Sequence, residues 1–300
     1  MSMKAALLSS AAMWFAVCPG AAWAADFAVE AGAKPAVDAI NGKLEGFGGW
    51  ADGRFGRDGF SGGALGSLTV PLGDRFGAQI DGLAAVKDGD FVGGGAGHLF
   101  TRDPDRFLFG LYGSGVGFDD RVNSWNVKIG AEGELYFDRF TLSAVLGYER
   151  LGGGSDRVGA RRIERASKGG SFFDYADLSY YVTDDWKVSV GHRYTGRKHA
   201  AAFGTEARLP FGAVPVSAFV EGRLGEDDYK AVWGGLKVYF GGEDKPLIAR
   251  HRESDPPNWL KDDLFSTRTK RRSLGAAPTP PTDPELPCGC GGPCPCGPET

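Results

Sequence analysis

The side chains of this chain that could do chemistry are charged and polar residues spaced two apart in short runs. Gln79, Asp81, Lys87, Lys128, Glu132, Glu134, Glu149, Asp177, Lys187, Arg193, Glu206, Arg208, Glu221, Arg223 and Lys237 lie on the polar side of such runs. A period of two places alternate side chains on opposite faces of a strand. Around residues 126–137 the apolar side carries Val127, Ile129, Ala131, Gly133, Leu135 and Phe137, and the polar side Asn126, Lys128, Gly130, Glu132 and Glu134. Mixed signs along one face suit a polar conduit for small solutes, or an interior closed by its own salt bridges.

Catalytic motifs are weak by comparison, and no catalytic residue is assigned. Gly59-Phe60-Ser61-Gly62-Gly63 has the G-x-S-x-G spacing. A nucleophile elbow needs a strand before the serine and a helix after it. Here a strand follows in glycine-rich surroundings, so the match reads as chance. His98, His192, His199 and His251 are scattered, with no H-E-x-x-H and no phosphate-binding loop. His192 with Ser179 or Ser189 is the nearest approach to a barrel-type phospholipase pair, and no local motif supports it. Cys288, Cys290, Cys294 and Cys296 form C-x-C-x3-C-x-C, four thiols close enough to take a soft metal such as zinc or copper(I). The spacing is tighter than the usual zinc pairs, and in an oxidising compartment disulfides compete. Apart from this cluster the chain has only Cys18, so the body is neither cross-linked nor run by a thiol.

The elements that must carry the polar faces are strands. Turn signals divide residues 43–240 into twelve segments, at 43–54, 61–71, 75–87, 90–102, 106–117, 122–137, 140–151, 171–182, 186–197, 200–210, 214–224 and 229–240. An even count suits a closed antiparallel transmembrane β-barrel, with apolar faces toward lipid and polar faces toward a lumen. Links from even to odd segments are short and four of the five contain Asp, as hairpin turns prefer. The longest link, 152–170, falls in the other class and holds Arg157, Arg161, Arg162, Arg165 and Lys168. That parity puts the long loop outside and both termini in the periplasm. A soluble periplasmic β-sandwich, with its apolar faces packed on each other, is the rival fold.

The remaining composition fits. Residues 1–24 read as a secretory signal peptide, with Lys4, an apolar run at 5–17 and Ala22-Trp23-Ala24 before the cut. Residues 25–42 form a periplasmic lead. Mean hydropathy is −0.22, with no apolar run after the leader long enough for a membrane helix. The 48 glycines include Gly93, Gly95 and Gly97 on one face, where small residues permit curvature, and many of the 20 Phe, 9 Tyr and 7 Trp lie near strand ends, as interface girdles require. The net charge is −4 with no basic stripe, so no nucleic acid is assigned.

The last strand carries the most specific signal. Gly235, Val238 and Phe240 fit Gly-x-x-apolar-x-aromatic. This resembles the terminal strand of porin-like outer-membrane β-barrel proteins of Gram-negative bacteria, over residues 1 to about 240. The resemblance implies lipids of the outer membrane and the barrel-assembly machinery as partners. Such chains mostly end at the aromatic residue, whereas this one continues for sixty residues. Residues 241–274 read as a charged, solvated periplasmic extension, or as a docking segment around 250–260 for a periplasmic partner. Residues 275–300, rich in proline and cysteine, read as disordered. Two functions follow: a narrow pore for small polar solutes, or a closed structural barrel whose tail contacts a periplasmic partner or a metal.

Overall fold

The computed structural model describes residues 34–51, 59–120, 122–158, 161–165, 169–210, 214–226, 229–242, 244–266 and 269–270, with backbone alone for 156–165 and for the residues after 264. The signal peptide at 1–24, the lead at 25–33 and residues 271–300 lie outside the described residues.

Alternation and turn chemistry fold residues 41–241 into one closed antiparallel sheet. Its twelve strands are β1 (Asn41–Ala51), β2 (Gly59–Leu72), β3 (Phe76–Lys87), β4 (Asp90–Asp103), β5 (Phe107–Phe118), β6 (Trp125–Phe137), β7 (Phe140–Gly152), β10 (Gly169–Thr183), β11 (Trp186–Thr195), β12 (Lys198–Arg208), β13 (Val216–Gly225) and β14 (Tyr229–Gly241). Each pairs with the next, and β14 pairs with β1 from Asn41↔Gly241 to Ala51↔Ala231, so no edge is left open. Closure satisfies every strand's backbone groups within the sheet, the condition for a sheet in hydrocarbon. The twelve segments expected from sequence are these strands, with ends shifted by up to three residues. Inside the long link, β8 (Ser155–Val158) and β9 (Arg161–Arg165) add a hairpin that alternation did not predict.

The barrel has two unlike ends. The tight links at 73–75, 104–106, 138–139 and 184–185 lie at one end, with the β12–β13 link, the start of β1 and the finish of β14; this is the terminal end. The β8–β9 hairpin and the other links lie at the far end. There Asp88-Gly89 and Gly196-Arg197 hold positive φ at both central positions, the geometry of two-residue hairpins whose twist matches the strands.

The outer face is apolar. Ile80 (63% exposed), Leu111 (63%) and Ile129 (68%) point outward at mid-height, with Leu99, Leu146, Leu178, Val190, Val220 and Leu236. Exposed rings bracket them: Phe76, Phe137, Phe140, Tyr180, Trp186 and Phe240 toward the terminal end, and Trp50, Phe60, Phe91, Trp125, Tyr148 and Phe172 toward the far end. An apolar belt between two aromatic girdles is the outer surface of a transmembrane barrel. A sandwich would have buried these side chains against a second sheet.

Close approach demands glycine where Gly130 pairs with Gly147. A Cβ on Gly147 would fall on the Ile129 carbonyl and the Gly130 backbone, which have no flexible end to yield. The neighbours in that row, Tyr112 on β5 and Phe173 on β10, are buried rings that fill the space. Gly147→Val should cost about 1–3 kcal/mol by overpacking and lower the yield of folded barrel, read as loss of the heat-dependent mobility shift on a gel.

Candidate functional site

The lumen is occupied by the chain's own C-terminal extension. After β14 the chain turns back into the barrel and forms α1 (Leu247–Glu253) and α2 (Leu260–Ser266), joined by an extended stretch. Most of residues 254–264 are buried. The expectation of a solvated extension is therefore corrected. Its charges lose water but meet opposite charges on the barrel wall, and its apolar residues meet the few apolar patches of the lumen.

The terminal mouth is closed first. Leu247 and Ile248 donate from their backbone N–H groups to Asp185 (3.0 Å) and the Asp184 carbonyl (3.0 Å), in the β10–β11 turn. Arg208 lies at this rim and binds Asp244 (2.7 Å). The lead packs alongside: Lys245 bridges Asp38 (2.6 Å) and Glu253 (2.9 Å), and Val37 joins Phe100, Leu108 and Tyr136 in a small apolar cluster.

Deeper in, the extension carries the matching half of a charge pattern on the wall. Asp255 pairs with Lys43. Lys261 bridges Glu45 and Glu221, each at 2.6 Å. Asp262 accepts a hydrogen bond from Arg223 (2.8 Å) and forms an ion pair with Arg193 (3.0 Å). Arg193 also holds Asp177 through two bonds of 2.8 Å, and Arg223 holds Glu221 at 3.1 Å. Asp263 takes Lys128, Ser114 (3.0 Å) and Tyr175 (3.0 Å). Charges this deep need such partners, because an unpaired buried ion is costly. Leu260 and Leu264, fully buried, pack in a cluster with Leu65, Leu83, Val92, Val116 and Phe118 of β2 to β5. Burying each leucine contributes about 1.5–3 kcal/mol.

Of the lumen residues expected from alternation, Gln79, Asp81, Lys128, Glu132, Glu134, Arg193, Glu206 and Arg223 are buried inside the barrel, and Asp177, Lys187, Glu221 and Lys237 line a remaining cavity. Part of this set is wall structure. His98 lies between Asp81 (2.9 Å) and Glu132 (2.8 Å), an arrangement that a ring with two N–H groups satisfies. Glu149 is fully buried and accepts from Thr195 (2.7 Å) and the Gly196 N–H (2.6 Å). Ser61 of the G-x-S-x-G match is a buried strand residue, and His192 points outward, bonded to Asp174 (2.8 Å) and His199 (3.0 Å). Among the described residues no group of three or more His, Cys, Asp or Glu is placed to hold a metal; Cys288, Cys290, Cys294 and Cys296 lie outside them. Sequence reasoning missed Lys43, Glu45, Ser114 and Tyr175 on the wall, and Asp255, Lys261, Asp262 and Asp263 on the plug. The Leu260/Leu264 spacing, one helical turn apart, was the visible hint that this segment has a face to bury.

The plug does not fill the barrel. A polar cavity of about 130 Å³ remains between it and the wall, lined by Asp177, Ser189, Lys187, Glu206, Glu221 and Lys237 among others. That is room for several waters. Lys237 and Tyr239 both bind Glu206, at 2.6 and 2.5 Å.

His251 of α1 sits at the edge of this cavity, bonded to Tyr181 (2.9 Å) and 3.4 Å from the Tyr239 hydroxyl. Burial, followed by the nearby Lys187, pushes its pKa down to about 3; Glu206 and Asp255 oppose this and Lys237 adds to it. Burial would raise the Asp255 carboxyl, but Lys43 and His251 outweigh it and hold it below its ordinary value. A histidine depressed in the docked state is protonated more readily once the plug leaves. Docking is therefore fully stable above about pH 6.5 and weakens as pH falls toward 3; Asp255 adds to the loss near the bottom of that window. Protease access to residues 244–266 should rise between pH 6.5 and 4.5, and His251→Gln should flatten that part of the profile.

A closed barrel with a lipid-facing exterior and a polar lumen defines a transmembrane β-barrel. No family model matches the sequence, and a search of curated proteins found no match. Solved structures similar in fold include the KdgM porin in complex with disordered oligogalacturonate, at 10% identity over 66% of this chain and 99% of that one, with a TM-score of 0.45. The translocator domain of the autotransporter NalP from Neisseria meningitidis is 15% identical over 68% of this chain and 88% of that one, with a TM-score of 0.46. The Acinetobacter baumannii outer membrane protein Omp33 is 12% identical over 67% of this chain and 98% of that one, with a TM-score of 0.38.

Proposed function

We propose that the protein is an outer-membrane pore for small polar solutes, held shut at rest by its own C-terminal segment. The observation that carries this reading is the polar cavity left between the plug and the wall. It is lined by both signs of charge and bounded on one side by a segment held by ion pairs and two leucines. A plug fixed by separable contacts opens by partial withdrawal, whereas a purely structural barrel has no use for a polar space beside it. Lys187, Lys237, Glu206 and Glu221 set selectivity along the path. The terminal end faces the periplasm, where tight turns belong, and β14 offers Gly235, Val238 and Phe240 to the assembly machinery. Outside the barrel, the girdles set its depth in the lipid.

Single-channel recording from the refolded full chain in a planar bilayer tests this. Brief, small openings are expected, lengthened at low pH. Silence from the full chain, and equal silence from a chain ending at Gly242 that still shows the mobility shift, would rule out a pore.

A further inference from the structure

The extension enters the lumen at one end and runs through to the other. Its contacts with the wall advance in order. Residues 247 and 248 bind the 184–185 turn, and Arg252 donates to the Phe140 carbonyl (2.9 Å), all at the terminal end. Asp255 reaches Lys43 and Asn258 reaches Ser67 (3.1 Å), a little way in. Asp262 and Asp263 reach Arg193, Arg223 and Lys128 beyond the middle. The Leu264 carbonyl accepts from Lys87, the last residue of β3, at the far end. Finally β15 (Thr269–Lys270) pairs with β9 of the far-end hairpin, Thr269 opposite Arg165 and Lys270 opposite Glu164.

We infer that the barrel carries its own C-terminal peptide across the membrane, so that β15 stands on the face opposite the end of β14 and the rest of the chain starts from that face. The inference rests on the reading of the chain as an outer-membrane barrel, and it revises one expectation from sequence. Strand parity alone puts both termini on the periplasmic side, whereas the threaded segment parts them: the lead stays at the terminal mouth and the tail leaves through the far one. The plug is then also a tether. Its ion pairs hold the peptide in transit, and the short β15–β9 ladder anchors it where it emerges. The rest of the chain contains Cys288, Cys290, Cys294 and Cys296, four thiols within nine residues and the chain's only cysteines apart from Cys18 of the leader.

The test compares sides within one molecule, in intact cells making the full chain. Three versions each carry one epitope tag: in the β8–β9 hairpin between 159 and 160, in the β12–β13 link at 211–213, or after Thr300. Antibody and protease access is read before and after the outer membrane is permeabilised. The C-terminal tag should behave as the hairpin tag does and unlike the link tag. A C-terminal tag that follows the link tag overturns the inference. If the barrel sat inverted, the hairpin and C-terminal tags would change sides together, so a failure of the assumed orientation is distinct from a failure of threading. As a check without tags, a membrane-impermeant maleimide with an impermeant phosphine reductant should label the four cysteines equally in intact and permeabilised cells. Labelling that appears only after permeabilisation counts against the tail being displayed.

Discussion

Ending the chain after Gly242 should turn a mostly closed barrel into a steadily open one. The twelve-strand sheet closes through β1 and β14, upstream of the cut, so its backbone ladder is untouched. The two helices that plug the lumen, α1 and α2, lie beyond it. Eight strands enclose a side-chain-filled interior and sixteen to eighteen an open channel, so twelve strands without a plug leave a passage of intermediate width. Truncation also removes Asp255, Asp262 and Asp263, while Lys43, Lys128, Arg193 and Arg223 stay on the wall. It removes Lys261 as well and leaves Glu45 and Glu221 on the wall, so the open pore should be only weakly selective between anions and cations. Losing the docking contacts of Leu260 and Leu264, together about 3–6 kcal/mol, should raise mean conductance by well over tenfold, since each 1.4 kcal/mol is a factor of ten. Bilayer recording with a salt gradient reads both magnitude and reversal potential. An unchanged conductance from a barrel that still shows the mobility shift would mean that the plug does not close the pore.

Asp262→Asn should loosen the plug without removing it. One carboxylate serves Arg193 and Arg223, and all three groups are buried. Removing one partner of a buried pair costs about 3–5 kcal/mol because it strands the other charge. The low end applies here, since Arg193 keeps Asp177 and Arg223 keeps Glu221. A shift of about 3 kcal/mol changes the open-to-shut ratio by roughly a hundredfold. The amide keeps the carboxylate's shape, so packing of α2 is preserved. Open probability and protease access to residues 244–266 should rise together in Asp262→Asn and return toward wild type in Asp262→Glu. If Arg223→Gln alone opened the pore and its double variant with Asp262→Asn opened it no further, the pair would be acting as one latch. Additive effects would show two separate contacts.

The sequence by itself determined the barrel. Alternation in runs such as 126–137 assigns each side chain to one face, because successive residues of a strand point opposite ways. Residues on an all-polar face lined by ionisable groups must then share an interior, and Ile80, Leu111 and Ile129 must meet lipid. Short turns with Asp and Gly fix neighbours along the chain, so sheet order follows sequence order everywhere except across the β8–β9 hairpin. Only the tertiary structure decided what fills the lumen. Residues 241–274 read as a solvated charge run because charge run and buried latch have the same composition. What separates them is whether Lys43, Arg193, Arg223 and Lys128 stand opposite Asp255, Asp262 and Asp263, and those partners are tens to hundreds of residues away in the chain. Such pairings are set by the curvature of a closed sheet, which brings β1, β6, β11 and β13 around one axis. No local pattern encodes that arrangement, and neither does the direction in which the plug crosses it.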